Sequence, residues 1–152
     1  MDITIRPALP NEADALSRIA FSAKAHWGYP ERWLEIWKPQ LTFAPDYFIE
    51  NESWVAEADN VPVGFYTLQE MDGNARIENL WVLPEFIGQG VGKGLFLHAL
   101  SRSRAMGHLV LQLEADPNAV GFYEKMGMRK VSERRSEIEG EPRILPIMEM
   151  TS

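Results

Sequence analysis

A chain of 152 residues with 45% hydrophobic and 24% charged residues is expected to form a single domain, residues 1–152, around one hydrophobic core. The chain has no cysteine, which excludes disulfides, thiolate catalysis and most structural zinc sites, and no bound metal is expected. The net charge of −7 argues against a nucleic-acid-binding protein, and no apolar run reaches the ~18 residues that span a membrane, so a cytoplasmic location is the default expectation.

The N-terminal third of the chain predicts one strand followed by helices. Alternating residues over 2–6 indicate a short strand. Asn11 is expected to cap a helix whose apolar positions recur at helical spacing, namely Leu16, Ile19, Ala20 and Ala23. A second helix is predicted over 30–38, and a short helical turn over 45–51.

The pattern then changes to the two-residue period of β-strands. Segments 53–58, 61–70 and 75–83 are predicted strands, and the turn signals Asp59-Asn60 and Asp72-Gly73 separate them. These three strands are expected to form an antiparallel meander.

The C-terminal half alternates helices and strands. A helix is predicted over 91–106, with Gly107 ending it and with Val91, Leu95, Ala99 and Met106 on one face. A strand is predicted over 108–115, followed by a helix over 117–126 that stops at Gly127. The chain ends with two predicted strands, over 128–135 and 143–150.

The resulting order is β-α-α-β-β-β-α-β-α-β-β. It predicts an α/β (α+β) fold with a mixed, mostly antiparallel twisted sheet and helices on both faces. The strand–helix–strand connection is expected to be right-handed and to make strands 75–83 and 108–115 parallel.

The glycine-rich stretch "FIGQGVGKGLF", residues 86–96, is suited to a phosphate group. A loop that leaves a strand and enters a helix exposes backbone N–H groups, the helix dipole adds partial positive charge, and glycines allow close approach. Spacing excludes two nucleotide-binding motifs. A P-loop would need glycine at Ile87 and a hydroxyl at Gly94, and a dinucleotide fingerprint would need glycine at Lys93 or Leu95.

A longer stretch around this loop, "LWVLPEFIGQGVGKGLF", resembles motif A of the GNAT superfamily of N-acetyltransferases. Ile87 stands where the family usually has Gln or Arg. The matching positions of strand and loop are Leu80, Val82, Pro84, Gly90 and Gly92.

A second block, "DPNAVGFYEKMGM", is similar to a later GNAT motif. Asp116 replaces the family's Asn and Met128 its Phe, whereas the matching positions are Ala119, Phe122, Tyr123 and Gly127. "KAHWGYPERW" and "SEIEGEPRILP" are similar to segments of a GNAT subgroup whose acceptors are mostly unassigned.

The resemblance implies a GNAT-type fold and an acetyl-CoA-dependent N-acetyltransferase. The acetyl group would move to a primary amine of a small molecule or amino-acid-like substrate by direct attack in a ternary complex. A peptide or protein N-terminus is an alternative acceptor. A non-catalytic module that binds or senses acyl-CoA is the alternative function, and the chain could also form a homodimer.

The resemblance also implies which residues would hold coenzyme A. The pantetheine arm would pair with the main chain of a strand that splays from its parallel neighbour, and the diphosphate would lie on the N–H groups of the glycine loop. The implied positions are Leu80, Trp81 and Val82 on the strand, Ile87, Gly88, Gln89, Gly90, Val91, Gly92 and Lys93 in the loop, and Ala119 and Phe122 in the second block.

For catalysis, the resemblance implies that Tyr123 protonates the departing thiolate and that a backbone N–H of Trp81 or Val82 serves the carbonyl oxygen. Glu78 and Glu114 are the candidates for the general base, because a carboxylate with a raised pKa beside the reacting centre takes a proton from the amine. Each has an alternative as an ion-paired carboxylate.

The acceptor pocket of this fold is usually built by the first two helices and the last hairpin. That implies roles for His26, Trp27 and Tyr29, with Arg143 opposite them to pair with a substrate carboxylate. The alternative is that these aromatic residues are core residues between helices.

Overall fold

The computed structural model describes residues 2–152. The strands are β1 (Ile3–Pro7), β2 (Glu52–Ala58), β3 (Val61–Met71), β4 (Asn74–Val82), β5 (Val110–Glu114), β6 (Arg129–Ile138) and β7 (Glu141–Thr151). The helices are α1 (Ala13–Ala25), α2 (Glu31–Trp37), α3 (Tyr47–Glu50), α4 (Val91–Ala105) and α5 (Val120–Lys125). This order confirms the predicted one, with α3 as the short helical turn.

The strands form a mixed sheet in the order β1-β2-β3-β4-β5-β7-β6. Strand pairs β1/β2, β2/β3, β5/β7 and β6/β7 are antiparallel, whereas β4 and β5 are parallel over Ala75–Ile77. The mostly antiparallel sheet and the parallel crossover pair are therefore confirmed.

The chain divides into two compact units. The first consists of the described residues up to Leu68 together with Asn79–Leu97, and the second of Gln69–Glu78 together with His98–Ser152. The expected single domain stays a prediction.

Among the described residues, two hydrophobic clusters lie in the core of the first unit. The apolar face of α1 is buried in one of them, with Phe43, Phe48 and Phe65, and Trp81 packs against this cluster. Val91 and Leu95 of α4 belong to the other, against which Leu80 and Val82 pack. Because successive residues of a strand point to opposite faces, this end of β4 is anchored on both sides.

The start of α1 differs from the prediction. Asn11 lies inside a 3-10 turn, Pro10–Glu12, and α1 begins only at Ala13, so Asn11 is not its cap. Instead, the Leu9 N–H donates to the Glu12 carboxylate at 2.9 Å, and Arg6 holds the same carboxylate at 2.6 Å. Pro10 fixes the backbone of the 3-10 turn, so the turn includes Asn11 and the α-helix starts after it.

The predicted hairpin turns are present. Asp59 and Asn60 have φ values of 51° and 65°, which is the conformation that a two-residue hairpin between β2 and β3 requires. Gly73 has a φ of 83° in the turn between β3 and β4.

The second unit is centred on β5. Its buried residues stand opposite buried residues of both neighbours, with Ala75 opposite Leu111, Ile77 opposite Leu113, and Leu113 opposite Met148. Strand β6 is mostly exposed and rich in charged residues, which protects the edge of a sheet from further pairing. Within residues 2–152, no helix combines the length and the apolarity that crossing a bilayer needs.

Candidate active site

The glycine loop between β4 and α4 uses glycine for its backbone conformation. Gly88 and Gly90 have φ values of 82° and 85°, in the left-handed region that side chains disfavour. A Cβ added at either position would meet no atom within 4 Å, so crowding by the protein does not require these glycines. The loop thus leaves open space beside its main chain.

The N–H groups of the loop divide into two sets. Those of Ile87 and Gln89 donate to Pro84 O and Phe86 O, at 3.2 and 3.3 Å. The first helical bond of α4 runs from Gly94 N–H to Gly90 O, so the preceding amides lie ahead of the helical ladder. Two amides of the expected cradle of Ile87 through Gly92, those of Ile87 and Gln89, already have acceptors within the chain, and the cradle itself stays a prediction.

The side chains of the loop add little to a phosphate site. Val91 is 1% exposed and belongs to the core, so only its main chain is available to a ligand. Lys93 is exposed in the first turn of α4 and is the cation that this segment supplies. Ile87, which is 47% exposed, presents an apolar side chain at the family's Gln or Arg position.

The end of β4 has a defined orientation relative to β3. The Leu83 N–H donates to Val63 O at 2.8 Å, and a Cβ on Gly64 would lie 2.8 Å from Trp81 O. Since backbone groups alternate sides along a strand, the main chain of Trp81 faces β3 like that of Leu83, and the Val82 N–H points away from β3. Of the two predicted oxyanion donors, the geometry favours Val82.

A buried polar network fixes the indole of Trp81. Asn79 donates to Tyr47 Oη at 2.9 Å and to Thr67 Oγ1 at 3.1 Å, and Trp81 Nε1 donates to Asn79 Oδ1 at 3.0 Å. Thr67 is fully buried, and its hydroxyl also lies 3.1 Å from Tyr47 Oη. With every partner satisfied, such a network specifies one packing of the strand.

The predicted acceptor residues of the first unit belong to two aromatic contacts. Trp27 is 40% exposed and packs edge-on against His26, with ring centroids 5.3 Å apart. Tyr29 packs instead against Trp37, with centroids 4.9 Å apart. Trp27 and Tyr29 are half-buried or exposed rather than buried, so the expectation of core residues between helices does not describe them.

In the second unit, Tyr123 is a buried tyrosine of α5 that is 8% exposed. Burial, and secondly the negative charge of Asp116, raise the pKa of its hydroxyl above the ordinary value of 10.0. The ring of Phe122 packs edge-on against it at 5.1 Å, and Ala119 closes the 3-10 turn that leads into α5. Tyr123 therefore stays protonated and able to donate throughout the neutral pH range.

Arg143 pairs with a carboxylate of its own chain. Arg143 Nη2 lies 3.9 Å from Asp116 Oδ2, and both side chains are 12% exposed. Asp116 also accepts the Asn118 N–H at 2.9 Å, which caps the turn before α5. The sequence predicts that Arg143 pairs with a substrate carboxylate. In the structure, the Asp116 carboxylate already lies beside the Arg143 guanidinium.

The two candidate bases differ in their arginine contacts. Glu114 accepts both Arg134 Nη2 at 2.7 Å and Arg134 Nε at 2.8 Å, and Arg76 Nη2 lies 3.3 Å away. The bonds from Arg134 hold the pKa of Glu114 below its ordinary value of 4.5, so the expected raised pKa is wrong for this residue. Glu78 has a looser contact, 3.6 Å from Arg76 Nε. Among residues 2–152, no three His, Cys, Asp or Glu side chains are placed to hold a metal ion.

Comparison with known proteins assigns the chain to a family. The model of the acetyltransferase (GNAT) family matches residues 18–128, well over half of the chain. The chain belongs to the GNAT acetyltransferase family. The expected membership of the GNAT superfamily is thereby confirmed, and so is the expectation of an N-acetyltransferase.

Named GNAT proteins are similar over most of the chain. Peptidyl-lysine N-acetyltransferase YjaB of Salmonella typhimurium is 35% identical over 106 residues, which cover 69% of this chain and 68% of the relative. A GCN5-related N-acetyltransferase from Rhodopseudomonas palustris has a TM-score of 0.85 at 25% identity, covering 100% of this chain and 97% of that one. The PaiA N-acetyltransferase from Thermoplasma acidophilum, solved in complex with coenzyme A, has a TM-score of 0.79 at 23% identity, with 100% of both chains covered.

Several residues of this GNAT chain that the motifs do not mark lie beside predicted site residues. Gly64 faces the main chain of Trp81, Asn79 holds its indole, and Trp37 packs on Tyr29. A glycine inside a strand is a signal for the first, whereas Asn79 follows other polar residues of β4 and has no such signal. Trp37 follows Trp33 at the spacing of one helical turn, which was a signal for the third.

Proposed function

We propose that this GNAT protein transfers the acetyl group of acetyl-CoA to the primary amine of a small molecule or amino-acid-like acceptor, by direct attack in a ternary complex. The glycine loop carries the proposal, because positive φ at Gly88 and Gly90 turns the chain into the N-terminus of a 15-residue helix with open space beside it. The coenzyme A complex of the similar PaiA structure supports the choice of carrier.

The diphosphate would lie on the first-turn amides of α4, from Gly90 to Lys93, whose partial positive charge favours an anion. The ammonium of Lys93 would add charge at the same end of the helix. The β4 main chain around Leu80 and Val82 would pair with the pantetheine arm in the manner of an added strand. The side chains of both residues pack on the core, which holds that main chain in place.

Attack requires a neutral amine and a donor for the carbonyl oxygen. The Val82 N–H, which points away from β3, would donate to the oxygen as negative charge develops on it. Glu78 would take the amine proton, directly or through water. Glu114 is disfavoured as the base, because its lowered pKa makes it a weaker proton acceptor.

Tyr123 would act on the departing thiolate as a hydrogen-bond donor. The pKa of its hydroxyl lies above 10.0, whereas a thiol titrates near about 8.5, so complete proton transfer to the thiolate is uphill. A charge-assisted hydrogen bond from the buried hydroxyl stabilises the developing thiolate without that transfer. The proton released by the amine then neutralises the thiolate.

A lysine side chain in a peptide is the second candidate acceptor. It is favoured by the similarity to peptidyl-lysine N-acetyltransferase YjaB, which is 35% identical. Both acceptors present a primary amine, so the same chemistry serves either.

Release of thiol from acetyl-CoA tests the proposal, with a panel of small amines, amino acids and lysine-containing peptides as acceptors. Tyr123→Phe is expected to lower kcat by about 100-fold, the usual size of one positioned hydrogen-bond donor to developing charge, while coenzyme A affinity stays within about twofold. Tyr66→Phe, which removes a hydroxyl from a fully buried tyrosine of β3, is the matched control. Absence of thiol release with every acceptor, or equal kcat in Tyr123→Phe and the wild type, contradicts the proposal.

A further inference from the structure

Three aromatic side chains of the first unit pack together, and two of them lie around an ammonium group of their own chain. The rings of Tyr29 and Trp37 are nearly perpendicular, at 86°, with centroids 4.9 Å apart. Trp33 lies 6.0 Å from Trp37 and 6.1 Å from Tyr29. These three residues, Tyr29, Trp33 and Trp37, are called the aromatic cage below.

The chain brings the cage together locally. Trp33 and Trp37 are four residues apart on α2 and therefore lie on one face of that helix. Pro30 is the N-cap residue of α2, and Tyr29 comes directly before it. The Tyr29 ring therefore reaches the same face of α2 as Trp33 and Trp37. Lys24 lies in the last turn of α1, which precedes this segment.

Lys24 shows what the cage accepts. Its Nζ lies 4.4 Å from the Trp37 centroid and 5.0 Å from the Tyr29 centroid, both within the ~6 Å of a cation–π contact. Two perpendicular ring faces thus meet one ammonium at the same time. The distances and the chemistry of an alkylammonium site are therefore present in the structure.

The cage is open to exchange with solvent. Tyr29, Trp33, Trp37 and Lys24 are all half-buried, so each ring keeps part of its surface in water. The net charge of −7 also attracts cations to this chain. A lysine stem that merely covers apolar surface is the competing account, and it predicts no affinity for an external cation.

We propose that the aromatic cage is a binding site for an organic ammonium ion, with Lys24 as a resident competitor that the external ion displaces. Tethering gives Lys24 a high effective concentration at the rings, so it weakens binding of any external ammonium until it is removed. The site needs neither coenzyme A nor catalysis to bind.

The chemistry of acetyl transfer restricts which ammonium the cage would hold. The reacting amine must lose its proton, whereas a cation–π contact requires a group that stays charged. Resting on the proposed function, the ammonium in the cage is then a non-reacting one, and comparing a diamine or a doubly basic peptide with its singly charged analogue decides whether it belongs to the acceptor.

Titration with tetramethylammonium chloride, followed through the indole N–H signals of the tryptophans by NMR, tests the site without acetyl-CoA. Sodium chloride of equal ionic strength and the neutral, similarly shaped tert-butanol are the control titrants. Lys24→Met is expected to bind tetramethylammonium at least about threefold more tightly than the wild type. Lys38→Met is the matched control, because Lys38 Nζ lies 5.9 Å from a single ring, that of Phe21.

The outcomes decide between the two accounts. Saturable shifts of the Trp33 and Trp37 signals, tightened in Lys24→Met and unchanged in Lys38→Met, with the Trp33 shift lost in Trp37→Leu, support the site. Equal dissociation constants in wild type, Lys24→Met and Lys38→Met, no saturable shift in any of them, or equal binding of tert-butanol, overturns it. Melting temperatures within a few degrees of wild type exclude misfolding of the variants, and Lys24→Met alone suffices if Trp37→Leu does not fold.

A second pair of ligands identifies the source of the ammonium. Turnover of 1,5-diaminopentane is expected to exceed that of pentylamine at least about threefold in kcat/KM, and Trp37→Leu should remove the difference through KM rather than kcat. A blocked lysine peptide with and without a neighbouring basic residue gives the same comparison for peptide acceptors. If no amine turns over, the proposed function fails, while the titration still decides whether the cage binds an ammonium ion. If the two members of each pair turn over equally, the cage does not bind the acceptor.

Discussion

Gly64 is the residue that fixes the separation of β3 and β4 at the predicted reacting centre. A Cβ there would lie 2.8 Å from Trp81 O, 3.1 Å from Leu95 Cδ1 and 3.3 Å from Val91 Cγ1. The first contact involves main chain, which cannot give way without moving β4. The neighbouring Val82 N–H, the favoured oxyanion donor, would move with it.

Gly64→Ala is therefore expected to destabilise the fold by about 1–3 kcal/mol and to lower kcat more than it raises the KM for the acceptor. Gly121→Ala is the control, because a Cβ at Gly121 in α5 meets no atom within 4 Å and alanine there stabilises a helix by about 0.5–1 kcal/mol. Urea unfolding and initial rates measure the two effects. A Gly64→Ala variant as stable as wild type contradicts the packing argument.

The two carboxylates of the second unit are distinguished by substitution. Glu78→Gln is expected to lower kcat by about 100-fold, because no other group is assigned to accept the amine proton. Glu114→Gln is expected to retain kcat within about threefold, because the arginine contacts already disfavour Glu114 as a base. The dependence of kcat/KM on pH in both variants is the measurement, and the reverse ranking would assign the base to Glu114.

At the scale of elements, the glycine loop joins β4 to α4 through two residues with positive φ angles, a backbone conformation that only glycine adopts at low cost. Alanine at a positive φ costs about 1–2 kcal/mol, and the chain relieves this cost by rotating the peptide units that precede α4. The amides that would meet the diphosphate then lose their common direction.

The variant Gly88→Ala/Gly90→Ala is expected to bind coenzyme A at least about tenfold more weakly than wild type. Gly140→Ala is matched to it, because Gly140 has a φ of 79° and open space at its Cβ but lies in the hairpin between β6 and β7. Calorimetric titration with coenzyme A measures the affinity, and melting temperature measures the shared backbone strain. Equal loss of affinity in the loop and hairpin variants would show that strain alone, not the cradle, is responsible.

The elements differed in how much the sequence could predict. Strands with a clear two-residue period and turns with Asp-Asn or Asp-Gly were located, because local chemistry alone decides them. The final hairpin extends beyond the predicted 128–135 and 143–150, because Glu139 and Gly140 form a turn with φ values of 51° and 79°. Asn11 was misassigned because Pro10 starts a turn one residue earlier.

The candidate site was predicted where motifs carry it and missed where tertiary contacts do. Gly88 and Gly90 stand out in the sequence, since glycines in series are conspicuous. The bond that occupies the Glu114 carboxylate depends on a residue brought near by folding, Arg134, whereas the Ile87 amide donates to Pro84 within a local 3-10 turn. Such pairings set pKa values and donor availability, and spacing along one chain does not contain them.

At the scale of the whole molecule, each unit contains a carboxylate whose pKa is lowered by arginine. The bond from Arg6 lowers the pKa of Glu12 below 4.5, and the bonds from Arg134 do so for Glu114. A folded-state pKa below the unfolded value means that each group stabilises the fold fully above about pH 5. That stabilisation is lost as the pH falls through the folded-state pKa, below 4.5.

The melting temperature is therefore expected to fall as the pH is lowered from about 5 to 3.5. Glu12→Gln and Glu114→Gln should melt lower than wild type at pH 7 and show a shallower decline in acid. Glu137→Gln, an exposed carboxylate of β6, is the control and should follow the wild-type curve. Circular dichroism measures the melting temperature of each protein across the pH range. Parallel curves of melting temperature against pH for all four proteins would show that Glu12 and Glu114 do not cause the loss of stability in acid.

Contact between the diphosphate and the amides at the start of α4 underlies the proposed function, and amide-resolved NMR detects that contact. Coenzyme A should shift the amide signals of Gly90, Val91, Gly92 and Lys93, as new hydrogen bonds to phosphate oxygens form. Pantetheine, which has the same arm without the diphosphate, should leave those four signals in place. Shifts confined to other residues, or the same shifts with pantetheine, would show that the diphosphate does not lie on these amides.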